Sequence, residues 1–234
     1  MKYDPIDASL FAENRKRVLA ELPTDAFAVF HSADIPWRSA DGSMRFIQNS
    51  DLFYLTGVDQ EDTMLILDPG ADDPEKRELL FVRETSEEIA IWEGEKLSRE
   101  QAVDVSGGAS VKWNDRFLTT FRRLMRRKKR VFLNHNEYPR LGVPIFYTPD
   151  DRFRKECQQE YPNHQFERLG PIMHRLRQVK SQVEIDLLQH ACDITGKGFR
   201  RVLKFIRPGV KEYEVEAELL HEFMMHGARG FAYE

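Results

Sequence analysis

The segment Arg45–Gly57, reading Arg-Phe-Ile-Gln-Asn-Ser-Asp-Leu-Phe-Tyr-Leu-Thr-Gly, constrains the fold of this chain more than any other. Phe46, Ile47, Leu52, Phe53, Tyr54 and Leu55 crowd into one short span, broken by the polar cluster Gln48-Asn49-Ser50-Asp51. Such density sends a segment into a core. The Asn-Ser-Asp centre can hydrogen-bond its own backbone and open a helical turn. Gly57 then lets the chain change direction ahead of the next strand. Read from its residues alone, the segment is a buried loop-helix that plugs a core.

The rest of the chain alternates short apolar runs with helical patterns. Asp7 or Ser9 is placed to cap a first helix running to about Leu22, with Leu10, Phe11, Val18, Leu19 and Leu22 as its buried stripe and Pro23 as its stop. Ala26–Phe30 reads as a buried strand. A polar loop, His31–Ser43, leads into the dense segment. Thr63–Asp68 and Glu78–Val82 read as neighbouring strands, followed by the short segment Glu88–Trp92. Ser98 with Gln101 forms a capping box. Phe117, Phe121, Leu124 and Met125 recur at helical spacing, so a helix ends near Arg127, and Arg130–Asn134 reads as a strand. This mixture, continuing to about Phe166, predicts an α/β layered domain with a mixed sheet flanked by helices.

After Pro171 the character changes. Ser181 and Glu184 form a second capping box. Ile185, Leu188, Cys192, Thr195, Phe199, Val202, Leu203 and Ile206 mark one face of a helix ended by Pro208-Gly209. Tyr213, Ala217, Leu220, Phe223 and Met224 mark another, closed by Gly227 in the C-cap position, and Phe231–Glu234 reads as the start of a strand.

Composition narrows the classes of function. A net charge of -4 gives no global attraction to nucleic acid. The run Arg122-Arg123 and Arg126–Arg130 reads either as a patch for nucleic acid or an acidic partner or as a solvated helix end, where the C-terminal dipole favours cations. Aromatics do not interleave with it, which favours the solvated helix end. Cys157 and Cys192 make no metal-type or redox-type pair, so a reduced, cytoplasmic setting is the simplest account. No signal peptide and no membrane span are expected. No Gly-x-Ser-x-Gly elbow or phosphate loop is present.

Three motifs carry a resemblance. Arg45-x-x-Gln48-Asn49-Ser50-Asp51-x-x-Tyr54-x-Thr56-Gly57 resembles the signature of the amino-terminal domain of aminopeptidase P, the Xaa-Pro aminopeptidases. Leu176-Arg-x-x-Lys180-Ser181-x-x-Glu184-Ile185 resembles the entry to that family's catalytic domain. The third comprises Arg207-Pro-Gly209, Glu212–Glu214, His221–Phe223 and His226–Arg229. The resemblance implies an RNase-H-like amino-terminal domain over 1–172 and the start of a truncated pita-bread metallopeptidase domain over 173–234. It implies release of an amino-terminal residue that precedes proline, with peptides as substrates, and a homo-oligomer, dimer or tetramer, as the assembly. The cofactor it implies is a pair of divalent metals, usually manganese, held by two Asp, one His and two Glu that act as Lewis acids and lower the pKa of the attacking water. In the family's order those ligands follow the Gly-Ala-Arg-Gly segment at the end of this sequence. No catalytic or metal-ligating residue is therefore expected in this chain, which by itself should be inactive. Xaa-Pro dipeptidases (prolidases) share the layout, and some relatives are non-catalytic binding proteins.

Apart from the resemblance, Glu218, His221 and Glu222 are spaced to share a helix face and are candidate metal ligands. The pairing needs a second copy on another helix, and none exists, so a solvated or interface helix is the expectation. By resemblance, Asp41, beside Ser39 and Ala40, is a candidate for approach to a neighbouring subunit's active site, and Trp92 for a place beside the substrate cleft. A turn residue ahead of Gly42 and a sheet or interface aromatic are the competing readings. Arg45 is open between an interior ion-pair partner and a substrate contact.

Overall fold

A computed structural model describes residues 4–135, 137, 142 and 147–231. Ala8–Gln178 form one compact unit, and the described residues of Met1–Asp7 and Val179–Glu234 form another.

The first unit is built on a six-stranded mixed sheet: β1 (Ala26–His31), β2 (Met64–Leu67), β3 (Glu78–Val82), β4 (Ser110–Trp113), β5 (Arg130–Leu133) and β6 (Gln165–Arg168), in the order β4-β3-β2-β1-β5-β6. β1–β2–β3 is an antiparallel meander, while β1–β5, β5–β6 and β3–β4 are parallel. The expected α/β class therefore holds. The unbroken apolar run of β1 follows from burial on both faces. Ala26, Ala28 and Phe30 enter one core, with α1 (Ser9–Glu21), α2 (Ser50–Thr56), α4 (Arg99–Ser106) and α7 (Gly170–Gln178) supplying residues such as Val18, Leu52, Ala102 and Met173. Phe27 and Val29 enter the other, against Phe117, Phe121, Leu124 and Met125 of α5 (Phe117–Arg127) and Cys157 of α6 (Pro149–Glu160). Strand side chains alternate between faces, so only a strand covered twice is apolar throughout.

Several local expectations need correction. The N-cap of α1 is Ala8, with no side-chain cap bond, rather than Asp7 or Ser9. Its buried face is broader than the apolar stripe, because it includes Asn14 and Arg15. Arg15 is fully buried, and each of its three guanidinium nitrogens has an acceptor. Nη1 donates to Leu55 O at 2.8 Å and Ser106 O at 2.6 Å, and Nε pairs with Glu78 at 2.6 Å. A buried charge satisfied in this way clamps α1 to α2 and α4. The segment around Glu88–Trp92 is a short helix, α3 (Glu87–Glu93), capped by Ser86.

The second unit pairs α8 (Gln182–Phe205) with α9 (Glu212–Met225). Ser181 caps α8 with Glu184 in the expected box. Gly198 permits close approach: a Cβ there would lie 2.8 Å from Phe223 Cε1. Only Ile194, Gly198 and Val202 of α8 are buried, whereas Ile185, Leu188, Phe199, Leu203 and Ile206 are exposed. A helix pair buries the strip facing its partner and leaves the flanks bare. The C-cap of α9 is His226, not Gly227. Gly227 follows it at φ 84°, where glycine is favoured, and Ala228 N bonds to Phe223 O at 2.9 Å. The strand expected over Phe231–Glu234 lies beyond Phe231 outside the described residues.

Candidate functional site

The dense segment organises the first unit through its polar centre. Asn49 Oδ1 accepts from Asp51 N at 2.9 Å and Leu52 N at 3.1 Å, which caps α2. Gly57 closes α2 at φ 66°, with Phe11 packed against it so closely that a Cβ would lie 2.3 Å from Phe11 Cε2. Arg177 reaches Asp51 at 2.6 Å and fixes the first turn of α2 to α7. Gln48 is a crossbar. Its Oε1 accepts from Ala33 N at 3.1 Å and Asn49 N at 2.8 Å, and its Nε2 donates to Val58 O at 3.0 Å and Gln60 O at 2.8 Å.

Beneath this crossbar lies a buried hub that sequence reasoning missed. Asp150, at the start of α6, accepts from His31 N at 3.0 Å and pairs with His31 Nδ1 at 2.9 Å. Its other oxygen accepts from Asn134 Nδ2 at 3.2 Å and Asn49 Nδ2 at 3.4 Å. The hub sits at the carboxyl ends of the parallel pair β1 and β5, where ligands often bind in α/β sheets. Burial pushes the Asp150 carboxyl above its ordinary value against the pull of His31 and Asn134. Yet the His31 ring packs against Phe117 and Phe153, with centroids 5.4 and 4.5 Å away, and His31, Asn134 and Asp150 are all buried. Cys157, the buried thiol in the core under α6, has its pKa pushed up to about 12 by burial and by Glu156 and Glu160. The hub is built to hold strand ends, α6 and the dense segment together.

Two arms leave the crossbar. One is the loop Ser32–Ile47, pinned at its root by the two-pronged pair of Arg152 with Asp34, at 2.8 and 2.9 Å. Its tip closes through a Trp37–Ser43 bridge, with Arg38 N and Ser39 N donating to Gly42 O at 2.8 and 3.1 Å. Asp41 is exposed in that turn. Arg45 is exposed too, which removes the reading of it as an interior ion-pair partner. The other arm carries α3. Gln60 Oε1 accepts from Leu97 N at 2.8 Å, Glu61 pairs with Lys96 at 2.5 Å and Arg83 at 3.3 Å, and Arg83 also grips Glu93 at 2.6 and 2.9 Å. Burial pushes the Glu61 carboxyl up, but the Lys96 bond with Arg83 outweighs it and the net shift is downward. Trp92 stands 82% exposed at the end of α3, beside Ile91 at 77%. Trp37 and Ile47 on the first arm are 80% and 74% exposed. The fold thus roots Asp41 and Trp92 on one Gln48–Gln60 crossbar, with no hydrogen bond or ion pair between the two among the described residues. Both arms carry large apolar side chains facing solvent.

The helix α9 cluster does not converge as a metal site. Arg201 pairs with both Glu218 and Glu222, the latter at 3.4 Å, Glu222 also meets His226 at 3.1 Å, and His221 is exposed. Among the described residues no group of three His, Cys, Asp or Glu could hold a metal ion. The described residues therefore do not fit the metal pair that the resemblance implies. Among those residues, too, no helix is long and apolar enough to cross a membrane.

Comparison with known proteins agrees with the motifs. A family model described as the aminopeptidase P N-terminal domain matches residues 11–132, and the model of metallopeptidase family M24 matches residues 186–234. The Xaa-Pro aminopeptidase of Escherichia coli K12 is 29% identical over 94% of this chain and 49% of its own length. That of Haemophilus influenzae is 28% identical over 94% of this chain and 48% of its own length. Among solved structures, zinc-substituted E. coli aminopeptidase P in complex with product superposes with a TM-score of 0.80 at 26% identity, covering 97% of this chain and 51% of that one. Pseudomonas aeruginosa aminopeptidase PepP gives 0.79 at 25% identity over 95% and 50%. The chain spans about half the length of the curated relatives it matches. By its matched residues and its mixed sheet, the chain belongs to the aminopeptidase P family, with the N-terminal domain over residues 11–132 and a stretch of metallopeptidase family M24 over residues 186–234.

Proposed function

We propose that these residues serve a metallopeptidase that releases an amino-terminal residue preceding proline, and that they supply its scaffold and gate rather than its chemistry. The observation that carries this reading is the presence of both family matches, residues 11–132 and 186–234, in one chain. In this reading the domain over 1–172 narrows the cleft and builds a homo-oligomer, and 173–234 begin the pita-bread domain. The metal pair, manganese by resemblance, is held by polypeptide beyond these residues. Asp41 and Trp92, exposed on the two arms, meet the substrate or a neighbouring subunit's cleft. The protein works in the cytoplasm, where cysteines such as the free Cys157 and Cys192 stay reduced.

The test uses an Xaa-Pro-Xaa peptide and manganese. The whole protein is expected to release the first residue, whereas residues 1–234 alone leave the peptide uncut. In the whole protein, Trp92→Ala and Asp41→Ala lower kcat/KM while circular dichroism stays unchanged. Turnover by residues 1–234 alone refutes the placement of chemistry elsewhere, and a whole protein that spares the peptide refutes the activity itself.

A further inference from the structure

The fold sorts the basic run into two sets. Lys128 pairs with Asp68 and donates to Thr24 O at 2.9 Å and Ala26 O at 3.0 Å. Arg127 lies 3.7 Å from Asp72, and Arg130 reaches Asp25 at 3.6 Å and Glu167 at 3.5 Å. Arg122, Arg123, Arg126 and Lys129 are treated differently. All four are exposed, and among the described residues none has a carboxylate within ion-pair distance. The helix C-terminus explains why cations gather there. It does not explain why three of them converge without partners on one cleft.

That cleft, of about 490 Å³, is lined by Arg122, Met125, Arg126, Lys129, Tyr161 and His164. Its far wall is fixed. His164 Nε2 contacts Met125 O at 2.8 Å, so Nε2–H donates, and Gln165 N donates to Lys129 O at 2.7 Å. The Tyr161 and His164 rings meet edge-on at 5.4 Å. Arg122 and Arg126 stand one turn apart on α5, and Lys129 follows in the turn before β5. Three like charges around a rigid wall repel one another until an anion enters, and guanidinium forks suit phosphoryl oxygens. The volume falls in the range of small-molecule sites, roughly 300–1,000 Å³. Three cations in a row suit linked phosphoryl groups better than one carboxylate. Net negative charge elsewhere and the lack of interleaved aromatics argue against a long nucleic acid.

We propose that the cleft between α5 and the α6–β6 turn, lined by Arg122, Arg126 and Lys129, binds a compact oligophosphate, either free or as the tail of a nucleotide. Arg122 also borders the seam holding Glu156 and Glu160, so the test rests on the other two cations. Sodium tripolyphosphate and ATP are titrated calorimetrically at low ionic strength into the chain of residues 1–234. The expected result is saturation at one equivalent for at least one of them. ATP alone, or ATP the tighter, assigns a nucleotide, and equal binding or tripolyphosphate the tighter assigns the free anion. The double variant Arg126→Ala with Lys129→Ala weakens binding by at least about tenfold, since charge-assisted bonds are lost. Arg126→Gln, which keeps the stem, weakens it in the same direction. Lys16→Ala with Arg99→Ala removes the same charge from exposed positions of α1 and α4, on the opposite face of the sheet, and leaves affinity within about twofold. Circular dichroism checks that each variant is folded. The proposal is overturned by unsaturable binding, by equal losses in the two double variants, or by a single-stranded oligonucleotide that outcompetes tripolyphosphate with affinity rising with its length.

Discussion

Replacing Gln48 by Glu changes one atom's worth of chemistry and tests the crossbar directly. The amide donates from Nε2 to two carbonyls, Val58 O and Gln60 O, while Oε1 accepts from Ala33 N and Asn49 N. Glutamate keeps the acceptor side. It turns the donor side into an anion aimed at two carbonyl oxygens. Each lost bond is worth about 1 kcal/mol, and placing a half-buried carboxylate against acceptors adds a comparable penalty, so Gln48→Glu should cost about 2–4 kcal/mol at neutral pH. Total stabilities of domains run to roughly 5–15 kcal/mol, so the loss is easily measured. The carbonyls disfavour the charged form, which raises the variant's folded pKa. The deficit is therefore smallest below the ordinary glutamate range and grows as pH rises through the folded pKa. The control is Gln101→Glu. There the side chain only accepts, from Ser98 N at 2.8 Å, and glutamate fits a capping box, so the change should stay within about 0.5 kcal/mol. Urea unfolding followed by circular dichroism gives the free energies. Amide hydrogen exchange at Ala33 and Leu97 reports the two arms, because Leu97 N hangs on Gln60. Equal, small effects of the two substitutions, or unchanged exchange at Leu97 in Gln48→Glu, would show that Gln48 is not the crossbar.

Three other perturbations probe the same architecture. Asp150→Ala strands His31 N, His31 Nδ1, Asn49 Nδ2 and Asn134 Nδ2 without their acceptor and should cost about 3–5 kcal/mol in urea unfolding; Asp34→Ala, which breaks only the exposed pair with Arg152, should cost less than about 1 kcal/mol. Lys96→Met removes the bond that holds the Glu61 carboxyl low, so the wild type's advantage of about 1 kcal/mol is present above the ordinary value of 4.5 and fades as pH falls through the lowered folded pKa; a gap that stays constant with pH in acid unfolding would contradict this. Gly57→Ala must place a Cβ at φ 66° into the Phe11 ring, and a loss of about 2–4 kcal/mol in thermal unfolding is expected, with Gly94→Ala, at φ 83° in open space, costing only about 1 kcal/mol.

What the sequence revealed was local, and what it hid was long-range. Asn49, Ser98 and Ser181 cap their helices with groups two or three residues away, so their roles are written in adjacent letters. The five strand residues Ala26–Phe30 declared a doubly covered strand by being apolar throughout. By contrast, His31 and Asp150 lie 119 positions apart, and nothing near either one names the other. The helix that brings Asp150 there went unread although Thr148, Pro149 and Asp151 supply an N-cap, an N1 proline and a capping-box partner. Its body is so polar that no apolar stripe drew attention to it. The same dependence on hydropathy failed in the opposite direction for α8. Its stripe was legible, but periodicity cannot tell a face that is covered from one left bare, and most of that stripe is exposed. Asn14 and Arg15 show a third failure, since burial of a polar residue depends on partners in α2, α4 and β3 that come later in the chain.

The hub also explains why a constellation that looks catalytic need not be. A carboxylate on an imidazole, with two amides beside it, supplies orientation only when some atom stands ready to react. Here the described donors that face Asp150, from His31, Asn49 and Asn134, are consumed by it, His31 is walled by Phe117 and Phe153, and the carboxyl is buried. Such a network makes the geometry unique, because any displaced strand end or helix leaves a buried polar group unsatisfied. That uniqueness passes outward through Asn49 to Gln48, and from Gln48 through Gln60 to Leu97. The arms that end in Asp41 and Trp92 therefore stand on fixed footings while their tips remain in solvent. Had the polar centre of Arg45–Gly57 evolved to react, its side chains would have to be free at the moment of reaction, and Gln48 and Asn49 are instead spent on backbone groups and a buried carboxylate.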